Sequence, residues 1–442
     1  MKKTRAMRGA AARMSGWLLG AALAVSATDA RAGAASPCND PVVFQGARVQ
    51  VFILPFRAEG PLSARGRELV TVLQRHVLHS ALKYHSLGVV ELTGDDELCS
   101  YERTTGEVRR RLGKGQSAIF VSGRMFEQRE AMLLQTRVEF SVPGAPEVLS
   151  WTLGPGDEAA TTATVPADPV DFAPRAIPFA YLQQLAAAQA GARRIYEAPD
   201  PASSFWELPA DPEARFGYVV LEARDGWMRV QLSRGAGEGW IRTDTLAAAT
   251  DLKGTFPELH FIDGLIGYHL LRRPGPAALA GPGAGAAAGD RGTLQATLDS
   301  FDRYLAATQG RAESEARALA RVLQGNAVLH AAPQPWPTPQ LQAAERHYLA
   351  ARELAPTSTV ASTFALACGS ALCARGACSL EPDRLHEGFV EAVGRDPSSR
   401  ELVGNLEQFY AAAQRGSLKV TMPADELARQ RELTKSVRAG MD

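Results

Sequence analysis

Read for the spacing of its apolar positions, the chain changes period twice. Residues 48–56, RVQVFILPF, are an apolar run of strand formers that stops at a proline, as suits a strand buried on both faces. Leu69, Val72, Leu73, Val77, Ala81 and Tyr84 then recur at helical spacing, behind Ser63 as a helix cap. GVVELT, SAIFVSG, AMLLQTRVEFS and EVLSWTL read as further strands, with a loop and short helix between residues 95 and 113. This order predicts a mixed sheet with helices packed on it over residues 41–155. Residues 154–176 shift to Pro, Ala, Thr and Asp, and PFAYLQQLAAAQA follows as a short helix. Residues 156–191 are therefore expected to be a linker and short helix.

From residue 192 to 250 the pattern becomes that of a small all-β unit. YVVLEA leads through Asp225-Gly226, a favoured hairpin dipeptide, into WMRVQL; SRGAGEG makes a second turn, and WIR begins another strand. Trp227 and Trp240 each follow a glycine at a strand entrance, as core residues of a small barrel would. The two motifs, Gly226-Trp227-Met228-Arg229-Val230 and Gly239-Trp240-Ile241, resemble the bacterial SH3 domain. That resemblance implies a small SH3-like β-barrel that binds peptidoglycan or a proline-rich peptide, or only packs against a neighbour. Phe205 and Trp206 stand in a proline-flanked loop, SSFWELPADP, where no strand period demands an apolar side chain. They are the ligand-contact candidates.

Beyond residue 250 the period is helical. FIDGLIGYHLLRR starts a helical domain over 255–415, with helices at 294–307, 313–329, 340–354, 359–373, 384–393 and 400–413. A Pro/Ala/Gly run, 274–292, reads as a disordered insertion, and 416–442 as a C-terminal tail. AERHYLAARELAPTS matches LHEGFVEAVGRDPSS, aligning Tyr348 with Phe389, Ala351 with Ala392 and Pro356 with Pro397. This pattern resembles tetratricopeptide repeats at an offset of 41 residues, and implies a concave surface that binds peptides. The fold class is thus multidomain α+β, with a mixed-sheet domain, an SH3-like barrel and helical repeats.

The first 32 residues change the reading of location. A basic region precedes the apolar run WLLGAALAVSA, and Ala30-Arg31-Ala32 offers a small-x-small cleavage site, so a signal peptide and export to the periplasm or beyond are expected. The segment carries six of the 48 basic residues and one of the 48 acidic, leaving residues 33–442 at a net charge of about −5. That balance gives no support for a nucleic-acid partner. No later run is long enough for a transmembrane segment. In an oxidising compartment the five cysteines are read as disulfide formers. Cys38 and Cys99 flank neighbouring strands and are expected to pair, while CGSALCARGAC admits one internal bond, with Cys373 and Cys378 as candidates.

Leu54-Pro55-Phe56 and Ala118-Ile119-Phe120-Val121-Ser122-Gly123 resemble the opening and late strands of the TolB amino-terminal family, shared with the curli-secretion lipoprotein and lipoprotein activators of penicillin-binding proteins. That resemblance implies a domain that docks proteins or builds assemblies. The common catalytic signatures are missing from the sequence: no G-x-S-x-G or H-E-x-x-H occurs, and RRRLGKGQS lacks the phosphate-loop spacing. His76 and His79 share a helix face without a third ligand, and C-x4-C-x4-C-x7-H is too loose for structural zinc. No metal, cofactor or catalytic residue is assigned. The expectation is an exported, non-enzymatic scaffold or adaptor of the bacterial cell envelope. Its helical repeats would bind a protein partner, and its SH3-like unit peptidoglycan or a peptide. The alternatives are a cell-wall hydrolase carrying binding modules, and an accessory subunit of a wall-synthesis or secretion complex.

Overall fold

The computed structural model describes residues 43–441 except 55, 65, 67–86, 92–100, 114, 142–146, 155–158, 167, 190–193, 208–215, 225, 233–236, 243–251, 273–285 and 311–312. The expected signal peptide, the expected Cys38–Cys99 pair and the expected helix of His76 and His79 lie outside the described residues.

β1 (Val49–Ile53) is buried along its whole length and divides its side chains by parity. Val49, Val51 and Ile53 join the main core. Phe52 faces the other way and packs with Phe120, Leu112 and Val108, the last on α1 (Tyr101–Arg111). The apolar run therefore has no polar alternation because both faces are covered. β1 pairs in parallel with β3 (Leu87–Glu91) and with β4 (Ser117–Glu127). β4 runs antiparallel to β5 (Ala131–Ser141), and β2 (Arg57–Ala58) lies parallel to the end of β4. At Gly123 a Cβ would fall 2.2 Å from the ring of Phe56, so Phe56 and Gly123 meet in one close contact. Glycine is there to admit the ring.

The expected linker is instead structured. β6 (Val148–Thr152) and β7 (Ala160–Thr164) form a two-stranded sheet of their own, while β8 (Val170–Asp171) and β9 (Arg175–Pro178) pair with β5. Thr161, Ala163, Val165 and Phe172 are buried. The run ATTATV is small, not flexible: threonine and valine suit a pleated strand, and alanine fits where a helix approaches closely. α2 (Phe179–Gln189) follows, as expected.

The stretch read as a self-contained barrel contributes β10 (Arg194–Tyr196), β11 (Phe205–Glu207), β12 (Phe216–Arg224), β13 (Trp227–Leu232) and β14 (Glu238–Arg242). These strands continue the first sheet, because β12 pairs antiparallel with β3. The order is β11-β10-β14-β13-β12-β3-β1-β4-β5-β8. Among the described residues no pairing closes the five strands into a barrel. The edge of β12 is satisfied by β3 instead, which removes the need for closure.

The remainder is helical. α3 (Leu252–Thr255) precedes α4 (Glu258–Arg272), which is buried nearly all round and packs against β1 and its neighbouring helices. α5 (Ala286–Ala307) begins inside the segment expected to be disordered; its alanines propagate the helix that the following residues anchor. α6 (Ser314–His330), α7 (Thr338–Leu354), α8 (Thr359–Ala374), α9 (Pro382–Arg395) and α10 (Arg400–Gln414) each pack on the next. The expected tail holds α11 (Ala424–Ala439), which lies on α10 and buries Leu427 and Thr434. The internal match is geometric as well. Tyr348 and Phe389 are fully buried, and Ser358 and Ser399 cap α8 and α10, accepting from Ala361 N and Leu402 N respectively. Sheet and helices belong to one compact unit, Ser36–Asp442.

Candidate functional site

β11 ends the sheet, and its three residues are all exposed. Phe205 and Trp206 thus sit on a short strand, not in a loop. Their neighbours on β10 set their directions: Phe205 stands opposite Tyr196, and Trp206 opposite Ile195. Since adjacent strand residues point to opposite faces, the two rings flank one edge instead of forming a single platform. Phe205 is 45 % exposed and Trp206 36 %. The Arg194 guanidinium lies 4.4 Å from the Phe205 ring centre, and its Nε is 3.5 Å from Glu207 Oε1. Beneath Phe205, Tyr196, Trp227 and Trp240 form a small buried aromatic cluster, with Tyr196 edge-on to Trp227 at 5.0 Å. On the other face Trp206 lies over Gly239, where a Cβ would come within 2.8 Å of the indole and 2.3 Å of Ile195. The Gly-Trp motifs therefore serve packing: their tryptophans are interior, and the exposed aromatics come from the less regular β11.

The helical region carries a different arrangement. β7 lies against α8 and α10 and is held there through its backbone as well as its side chains. Thr162 N donates to Asn405 Oδ1 at 2.8 Å, and Asn405 Nδ2 donates to Thr162 O at 2.6 Å. Thr161 Oγ1 donates to the Ala367 carbonyl, and Thr164 Oγ1 to Glu401. Burial pushes the Glu401 carboxyl up, against the pull of the Thr164 hydrogen bonds. From β6, Trp151 inserts among Trp336, Tyr348 and Phe364, with ring centres 6.0 to 6.4 Å away. The helix face that could accept an extended peptide already holds an extended segment of this chain.

Two buried charge networks join sheet and helices. Arg175 of β9 contacts Glu258 at the start of α4 and Glu313 at the start of α6, both at 2.9 Å. Thr136 of β5 donates to Glu258, and Tyr304 of α5 to Glu313. Burial raises the Glu258 carboxyl above its ordinary value, with the Arg175 charge opposing it. Burial and the adjacent Glu313 charge push the Tyr304 hydroxyl up too. In the second network Glu147 accepts from Tyr268 and pairs with Arg272 at 3.1 Å and His330 at 2.6 Å. Its burial favours the neutral form, but His330, Arg272 and Tyr268 together hold the carboxyl below its usual range. The first network ties β5, β9, α4 and α5 to the residue before α6, and the second ties α4 and α6 to the residue before β6, which is the placement of structural joints. Sequence reading missed both, because their members lie far apart in the chain and Arg175 stood in an apparent linker.

Of the cysteines, Cys373 and Cys378 are bonded across the end of α8, with Cα atoms 4.2 Å apart. Cys368 is a buried free thiol, raised well above its ordinary pKa by burial and the nearby Glu345. Among the described residues no group of three metal-ligating side chains is present and no helix is long and apolar enough to cross a membrane. The chain matches no family model, no curated protein and no solved structure.

Proposed function

We propose that the protein is an exported, non-enzymatic scaffold of the bacterial cell envelope, binding a protein partner through its helical region and peptidoglycan along the β11 edge. The observation that carries the reading is the contrast within one sheet end: three aromatics are buried in the cluster beneath, while Phe205 and Trp206 remain exposed on the last strand. An extended glycan or peptide lying along that edge would meet one ring on each face. Ring faces take the apolar side of a sugar or proline, and Arg194 supplies a cation for a carboxylate. Export follows from the amino-terminal segment, and the likeness of the two Gly-Trp motifs to bacterial SH3 domains points to the same ligand class. The buried ion networks support a structural role for the ionisable groups, since each carboxylate in them is engaged by partners from other elements.

Sedimentation with purified peptidoglycan tests the proposal. Wild type is expected to pellet, and Phe205→Ala/Trp206→Ala to stay in solution with its thermal transition nearly unchanged. Trp227→Ala is expected to cost about 3–5 kcal/mol of local stability, as loss of a buried indole does. A wild type that remains soluble, or a double variant that pellets equally, removes peptidoglycan as the ligand of this edge.

A further inference from the structure

At the opposite end of the sheet from β11, a cleft of about 250 Å³ opens between the β7–β9 segment and the starts of α6 and α8. Its floor is aliphatic, with Val170, Leu319, Val322 and Val360 among the lining residues. Asp168, Asp171 and Glu315 also line it and are exposed, and no basic side chain is among the described lining residues. Asp171 pairs with Arg137, whose Nε is 3.9 Å away, with both side chains substantially exposed. A pair at that distance in water is weak and leaves the carboxylate available.

We infer that this cleft receives a lysine side chain from an extended segment of a protein partner. Charge complementarity sets the sign, and the aliphatic floor sets the shape: a lysine buries its four methylenes while its ammonium stays at the rim. The compact head has three donors for a rim that presents three carboxylates. β8 favours a peptide over a free amine as the source. Its Val170 and Asp171 line the cleft, and β8 is also the last strand in the sheet order. A segment laid along such an edge gains main-chain hydrogen bonds and turns alternate side chains toward the sheet face. This rests on the scaffold reading and names the chemistry of its partner. It also relocates the helical region's contact from the face covered by β7 to the starts of α6 and α8.

The test uses the full chain and a fluorescein-labelled peptide of alternating threonine and lysine, followed by anisotropy. Wild type is expected to saturate. Asp168→Asn/Asp171→Asn/Glu315→Gln should weaken binding about tenfold or more. Val360→Arg, which supplies the cleft with its own cation and fills it, should do the same. Neutralising Glu387, Glu391 and Glu432, exposed carboxylates on α9 and α11, should change affinity by less than about twofold. The free amine 1,5-diaminopentane should compete at least about a hundredfold more weakly than the peptide. The inference is overturned by absence of saturation at millimolar peptide, by equal weakening in the control set, or by equal affinity for the free amine. Sedimentation with peptidoglycan should be unaffected by the cleft variants, so failure here and failure at β11 are separately visible.

Discussion

Arg175→Met probes the joint on which the packing of sheet against helices depends. In the wild type one guanidinium serves two carboxylates, and Arg175, Glu258 and Glu313 are only 8 %, 2 % and 5 % exposed. The variant keeps most of the side-chain volume but strands Glu258 and Glu313 beside each other in low dielectric. Removing one member of such a network costs about 3–5 kcal/mol, chiefly the penalty of the charge left behind. An independent bound comes from neutralisation. From the ordinary value of 4.5, protonating one carboxyl at pH 7 costs about 3.4 kcal/mol, and at pH 5 about 0.7 kcal/mol. The sign follows from burial, which raises the folded-state carboxyl of Glu258 above its unfolded value even with Arg175 present. A folded state that holds a proton more tightly is favoured by acid, so the deficit should be greatest at neutral pH and shrink toward pH 5. Urea unfolding, read by tryptophan fluorescence and far-UV circular dichroism together, measures it, provided the two transitions coincide. Arg175→Met/Glu258→Gln/Glu313→Gln removes the charges but keeps acceptors for Thr136 and Tyr304, and should recover most of the loss. A cost below about 1 kcal/mol at pH 7, or one identical at pH 5, would refute the reasoning.

Three further outcomes rest on burial and chain entropy. His347 is held at a pKa of about 4, by burial first and then by the Arg321 charge. The unfolded chain therefore binds a proton that the folded one refuses, and stability should fall as pH drops from above 6.5 toward 4, a slope that His347→Gln flattens; a histidine titrating near 6.5 by NMR would contradict this. Cys373→Ser/Cys378→Ser opens a short loop and should cost about 2 kcal/mol by the chain-entropy model. Cys368 should resist alkylation until the protein unfolds, and a thiol that reacts at once in the native state would count against its burial.

The legible parts of the fold were those where one segment carries its own signal. β1, β4 and β5 announce themselves by apolar runs, and α4 to α10 by helical period or by the internal match at Tyr348 and Phe389. What escaped depended on distant partners. β7 is made of alanine and threonine, so nothing in its composition reveals that α8 and α10 bury it. The union of β12 with β3 is a backbone ladder between segments more than 120 residues apart, which side-chain patterning does not encode. Phe205 and Trp206 were recognisable as aromatics without a core period, but their opposite directions follow only from the register with β10. Cys373 and Cys378 were candidates among three thiols, and the end of α8 decides between them.

The central claim, that peptidoglycan is held along β11 and not where β6 and β7 meet the helices, can be read from the indole N–H resonances. Five tryptophans lie beyond residue 32, at 151, 206, 227, 240 and 336. Conservative Trp→Phe substitutions assign them, and soluble peptidoglycan fragments provide the titration. Trp206 should shift in a saturable manner, while Trp151 and Trp336, buried where the β6–β7 hairpin meets the helices, should stay in place. A titration that moves Trp151 or Trp336 and leaves Trp206 unmoved would contradict the account.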